Sequence, residues 1–151
     1  MIKIAQRGNF KGRDTTRENT VSYIEEAILA GYDVKIDVWL INEKWYLGHN
    51  LPIEEIQLSF MERPEIWTHA RDLQGYVSLF NNSKVHTFWH SRDDYTFTSK
   101  NIKWAKSGDK TRDGIQVMPN SSTWAHIISK PPLGVCSDDF SQYEQAIIKQ
   151  K

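Results

Sequence analysis

The fold class that the sequence predicts is α/β, as a compact, helix-depleted (β/α) barrel of the TIM type, with an open α/β sheet as the alternative. Three observations lead there. The chain opens strand, helix, strand. Its extended segments, counted generously, make eight in the main series, and several end in polar side chains, as strands do at the C-terminal mouth of such a barrel. With 151 residues against the ~250 typical of that fold, helices are expected mainly after the first, third and last strands, the later gaps being mostly too short. Residues 1–151 are read as one domain.

Taken in order, Ile2–Gln6 reads as a short strand closed by Arg7-Gly8, and 9–17 as a polar loop carrying Lys11, Arg13, Asp14 and Arg17. Such a loop over a strand end is a place for ligands. Asn19 or Thr20 can cap a helix whose apolar positions Val21, Ile24, Ala27 and Ile28 recur until Gly31 stops it. Next comes the most informative stretch, 32–50. Side chains alternate across a strand, so Val34, Ile36, Val38 and Leu40 form one apolar face, while Lys35, Asp37, Trp39 and Ile41 share the other. On a half-exposed edge strand Lys35 and Asp37 would simply face water, but in a βα unit both faces are normally covered, so they should point into an interior where charges need partners. Two residues apart, they need not touch, and a third group can bridge them. Asn42-Glu43-Lys44 turns the chain, and Trp45–Gly48 returns to carry His49 back toward Asp37.

Residues 51–64 show an irregular helical face with Ile56, Phe60 and Leu58, ended by Pro64. Ile66–Arg71 reads as a strand with Trp67, His69 and Arg71 on one side. Asp72 can cap a helix using Leu73, Val77 and Phe80 that stops at Asn81-Asn82. Val85–His90 is a further strand with a polar end, and 95–98, 102–105, 115–118 and 134–137 are short extended pieces. A helix from about Asp139 runs to the end.

Composition narrows the partners. Nineteen basic and nineteen acidic residues cancel, with no long run of either sign, so neither duplex nucleic acid nor an anionic membrane surface is an expected partner. Cys136 stands alone, which excludes an internal disulfide and a cysteine-based zinc site. No apolar run approaches the ~18 residues of a membrane span, and none forms a signal-peptide core. Any anion site must therefore be local, and a cytoplasmic location is the expectation.

Four segments, Gln6-Arg7-Gly8, Glu18-Asn19-Thr20, Gly31 through Val38 and Leu47-Gly48-His49-Asn50, resemble the signature of the glycerophosphodiester phosphodiesterase family and its phosphatidylinositol phospholipase C-like relatives. That signature runs His-Arg-Gly, Glu-Asn-Thr, Gly-x-Asp-x-Glu-x-Asp-Val and Gly-His-Asp. Trp67-Thr68-His69-Ala70-Arg71 is similar to the family's third-strand end, and Phe88-Trp89-His90, Asp93 through Thr96 and Val135 through Asp138 look like later segments of its short members. The resemblance implies a barrel, an acid/base pair from two histidines, and a calcium or magnesium ion held by the Glu and Asp of Glu-x-Asp.

Two departures bear on activity: Gln6 stands at the first histidine and Lys35 at the glutamate. Glutamine hydrogen-bonds a phosphoryl oxygen but exchanges no proton at neutral pH, and proton transfer is commonly worth about 10²- to 10⁴-fold in rate. Lys35 changes the local charge by two units and repels a divalent ion, so no metal or other cofactor is expected. An ammonium can instead supply positive charge to a phosphodiester. The alternative is that Lys35 forms an ion pair with Asp37 or Glu18 that only fills the metal position.

The expected site therefore holds His49, Gln6 and Arg7 at the chemistry, with Arg7, Lys35, His69, Arg71, His90 and Trp39 toward the ligand and Asp37 and Glu18 as orienting or ion-pairing carboxylates. Trp39 and Trp67 have the parity to wall a groove, core filling being the alternative, while His86 and His126 have no evident partner. Three functions fit: a family domain that keeps a phosphodiester pocket with catalysis lost or strongly impaired, a metal-independent phosphodiester hydrolase or lyase using Lys35 and His49, or an inactivated variant of an active phosphodiesterase.

Overall fold

The computed structural model describes residues 1–151. It opens as expected, with β1 (Ile2–Gln6), α1 (Val21–Leu29) and β2 (Asp33–Ile41). Thr20 is the N-cap of α1, its side chain accepting from the Tyr23 amide, and Tyr23, Ile24 and Ala27 are the buried positions of the helix. The next strand, β3 (Lys44–Leu47), pairs antiparallel with the end of β2 through a two-residue turn. Asn42 and Glu43 both have positive φ there, as the type I′ hairpin requires. A strand not expected from sequence, β4 (Glu54–Ile56), adds to β3. It takes most of the order in 51–64, leaving α2 (Leu58–Met61) as one short turn of helix.

The remaining elements are β5 (Ile66–Ala70), α3 (Leu73–Phe80), β6 (His86–Phe88), β7 (Tyr95–Phe97), β8 (Lys103–Ser107), β9 (Ile115–Val117), α4 (Ser121–Ser129), β10 (Gly134–Ser137) and α5 (Ser141–Lys149). Asp72 caps α3, accepting from the Gly75 amide at 2.5 Å. The α4 helix, capped by the Asn120 side chain, occupies a later gap in which sequence reading placed no helix. No helix is long and apolar enough to cross a membrane.

Parallel pairing runs β6-β5-β2-β1-β10-β9-β8, which brings the last strand beside the first. With β3, β4 and β7 antiparallel, the result is a mixed, ten-stranded sheet. It is not the closed TIM-type barrel that the sequence predicts, since β6 and β8 share no ladder. The physical reason lies in 89–102. No crossover helix follows β6, so the chain enters β7 in the antiparallel sense, and β6 gains no second parallel partner beyond β5. The open-sheet alternative is the nearer description.

The sheet is nonetheless curled, because one of its faces carries a small core of its own. Ile4, Trp67, Phe88, Trp104, Ile115 and Cys136, from six different strands, pack together there. Trp104 of β8 stacks on Phe88 of β6 at 4.4 Å, although the two strands share no ladder, and Ser99 N–H donates to the Thr87 carbonyl at 2.7 Å. His86 is pinned in this seam between Thr98 Oγ1, at 2.6 Å, and the Trp67 ring. The larger core lies between the other face and the helices. Lys35 and Asp37 sit just beyond the inner core, so β2 is buried on both faces as expected.

Candidate functional site

Asp37 is fully buried, and its carboxylate organises everything around it. Oδ1 accepts from Lys35 Nζ at 2.8 Å and lies 3.1 Å from His69 Nδ1. Oδ2 accepts from Arg7 Nε at 2.9 Å and from Asn19 Nδ2 at 3.0 Å. The direct Lys35–Asp37 contact departs from the expectation that the two need not meet. Their side chains share one strand face, and the long lysine folds back along it.

Local backbone conformation aims each donor. Arg7 leaves β1 in the left-handed region (φ 57), with its amide still donating to the Lys35 carbonyl at 2.8 Å. Gly8 follows at φ 95, and a Cβ there would meet the Tyr23 ring at 2.7 Å. Asn19, also left-handed (φ 55), donates its amide to the Arg7 carbonyl, and its Oδ1 accepts from the Asp37 amide. His49 is delivered by the β2–β3 hairpin and by Gly48, whose amide donates to the Asp37 carbonyl at 3.0 Å. Register does the rest, setting Gln6 beside Lys35 and Asp37 beside His69.

Gln6, Arg7, Lys35, His49, His69, Arg71 and His90 all line one cavity of about 340 Å³, with Phe88, Trp104 and Val117 as apolar wall. Three expected site residues lie elsewhere. Asp37 is beneath the cavity as an orienting group, holding Lys35 and Arg7. Glu18 stands behind Arg7, accepting from Arg7, Asn9 and Arg13. Trp39 does not wall the cavity; its Nε1 donates to the Gly48 carbonyl at 2.7 Å and so anchors the His49 loop. Arg71 supports the same loop, its Nε donating to the His49 carbonyl at 3.0 Å.

Sequence reading missed four contributors. Asn19 was weighed only as a helix cap, although its place in the Glu-Asn-Thr segment marked it. Cys136 reaches Gln6, and Lys106 and Ser107 of β8 complete the rim. Their position depends on sheet register, for which the local sequence carries no sign.

Charge in the cavity is strongly asymmetric. Burial alone would raise the Asp37 pKa, but Lys35, His69 and Arg7 outweigh it and hold the carboxyl well below its usual range. Burial lowers His49 to about 4, against the pull of Asp37 and with the cations Arg7, Lys35 and Arg71 adding to the downward shift. His69 and His90 are also lowered, chiefly by burial. A neutral His69 donates Nδ1–H to Asp37 and turns its Nε2 lone pair to the His90 carbonyl at 3.1 Å, a contact that a second proton would make a hydrogen bond. At neutral pH the cavity thus presents the side chains of Arg7, Lys35 and Arg71 over one buried carboxylate.

A divalent ion does not fit this donor set. Calcium takes six to eight oxygen ligands and magnesium a near-octahedral six. Here both oxygens of Asp37 are already engaged by two partners each, one of them an ammonium at 2.8 Å. No group of three His, Cys, Asp or Glu side chains is arranged to hold a metal.

The lowered histidines carry a stability signature. His86 is also held at about 4 by burial. Between the ordinary value near 6.5 and about 4, the unfolded chain binds protons that the folded one refuses, so stability falls as pH drops through that window. Urea midpoints at pH 7.5 and pH 5 are expected to differ in that direction, and histidine NMR titrations should show His49 and His86 without a midpoint near 6.5. Equal urea midpoints, or ordinary titrations for both rings, would contradict their burial as neutral bases.

No protein-family model, curated protein or solved structure matches the chain.

Proposed function

We propose that this protein binds a small phosphodiester or phosphate-bearing ligand in the cavity above Asp37 without a metal ion, and that its hydrolytic power is lost or strongly impaired. The observation that supports this most is the fixed Lys35–Asp37–Arg7 arrangement, in which one buried carboxylate orients two cations at the cavity. Preorganised cations in a partly desolvated cleft suit an oxyanion, because the cost of ordering them is met by the fold. The likeness to glycerophosphodiester phosphodiesterases supports a phosphodiester in particular, and Gln6 and Lys35 support the loss of turnover.

The test is calorimetric titration with inorganic phosphate and glycerol phosphate in the presence of chelator. Binding is expected to persist in chelator and to weaken with salt. Lys35→Met keeps the length of the stem and removes the charge, and it should weaken binding by about 10- to 100-fold, the worth of one charge-assisted hydrogen bond. Absence of phosphate binding by the unaltered protein would end this reading.

One observation favours metal-independent hydrolysis as a second reading: His49 Nδ1 is buried with no hydrogen-bond partner beside the cavity. A base with a pKa of about 4 is weak at neutral pH, so any such turnover is expected to be slow. Release of alcohol from a glycerophosphodiester in chelator, abolished by His49→Gln, would establish it.

A further inference from the structure

Gln6 is the last residue of β1, and its side chain carries a question that its neighbours answer. A carboxamide has a donor end and an acceptor end of nearly the same shape, so its flip is fixed only by what each end meets. Gln6 Oε1 lies 3.2 Å from Cys136 Sγ, a donor–acceptor pair, and Nε2 meets no acceptor in the protein. Gln6 lines the cavity, whereas Cys136, from β10, is fully buried in the inner core beneath it.

Cys136 has no other hydrogen-bond partner, and burial pushes its thiol up to about 12, so it keeps its proton across the physiological range. A thiol is a weak donor and a weak acceptor, but the only strong complement for a carboxamide oxygen is a donor. The opposite flip would turn an N–H toward sulfur and set the oxygen lone pairs against the cavity that Lys35 and Arg7 also face.

We propose that Cys136 is a positioning residue whose S–H holds Gln6 in the flip that offers the cavity two N–H donors and no lone pair. This rests on the anion-binding reading above and sharpens it. A cavity lined in that way accepts a phosphoryl oxygen at Gln6 as well as at the cations. Freed from the thiol, Gln6 turns its oxygen toward the cations of the cavity for most of the time, and that flip opposes the anion.

Three variants test this, with phosphate affinity by calorimetry and the Gln6 side-chain amide signals by NMR as readouts. Cys136→Ser keeps a donor and should stay within about twofold of the unaltered protein. Cys136→Ala and the bulkier Cys136→Val lack the donor and should each weaken phosphate binding by about fivefold, the worth of one neutral hydrogen bond. In these two the Gln6 amide signals should broaden or shift before any phosphate is added, while in Cys136→Ser they should remain a single sharp pair. Serine behaving like alanine would reduce Cys136 to packing, and unchanged Gln6 signals in both donorless variants would overturn the proposal. Should the unaltered protein bind no phosphate, the site reading fails, but the amide signals of the ligand-free proteins still decide the role of Cys136.

Discussion

Asp37→Asn is expected to lower the stability of the fold by about 3–5 kcal/mol, the range for removing one partner of a buried charge cluster. Asparagine matches aspartate in shape, so no cavity contributes. What changes is that Lys35 and Arg7, both nearly excluded from solvent, lose the only carboxylate that touches them both. The new amide also turns N–H groups toward one of two donor pairs, Lys35 with His69 or Arg7 with Asn19. Glu18, at 3.4 Å from Arg7, softens the loss on one side only. Urea unfolding measures the effect, and a change below about 1 kcal/mol, the level of exposed pairs, would mean that Asp37 does not organise the site. Adding Lys35→Met to Asp37→Asn should recover part of the loss, since one stranded charge is gone. The pH dependence has a definite sign. Asp37 is depressed in the folded state, so its contribution is present above the unfolded value of about 3.9 and is lost as pH falls through the lower folded one. The variant should lack that acid-sensitive component.

What the sequence revealed and what it hid divide along the range of the interactions involved. The β1–α1–β2 opening was legible because its signals are local: a Thr20 cap, a helical stripe, a stopping glycine and a strand with two distinct faces. The return of His49 toward Asp37 was legible for the same reason, as a hairpin is set by its turn. The α3 helix shows where local pattern fails. Its existence and Asp72 cap were expected, but Leu73, Val77 and Phe80 are 66%, 52% and 52% exposed, while Gly75 and Leu79 are buried. The helix packs by its Gly75–Leu79 side. A Cβ at Gly75 would meet Asp72 Oδ1 at 2.6 Å and the Trp45 ring at 3.3 Å, so a closely approached backbone, not the apolar stripe, sets the facing. That the sheet stays open was not legible at all, because closure depends on whether residues far apart in the chain find a common register. At the site, strand parity placed Lys35 and Asp37 together, yet the lysine rotamer that joins them and the fourfold engagement of Asp37 come from tertiary packing.

Combining Gln6→His with Lys35→Glu is expected to create metal-dependent hydrolysis of a glycerophosphodiester, and the two changes should act far from additively. Lys35→Glu alone turns an attractive buried pair into two facing carboxylates, a change of two charge units beside Asp37. Their repulsion lowers the stability of the ion-free protein and supplies the oxygen ligands that calcium or magnesium seeks. Added ion should then raise the melting temperature in proportion to its binding, an effect absent from the unaltered chain. Gln6→His alone supplies a proton-transfer group, but Lys35 still occupies the position opposite Asp37. With both present, His49 gains a partner, and the general acid–base contribution of about 10²- to 10⁴-fold becomes available on top of the ion's own. Each measurement has its own meaning. Ion binding without turnover in a folded double variant would separate the pocket from phosphodiester chemistry. A double variant that folds but shows no thermal shift with either ion would mean that Arg7 and Asn19 keep their hold on Asp37, and that the donor set is committed to organic cations whatever stands at position 35.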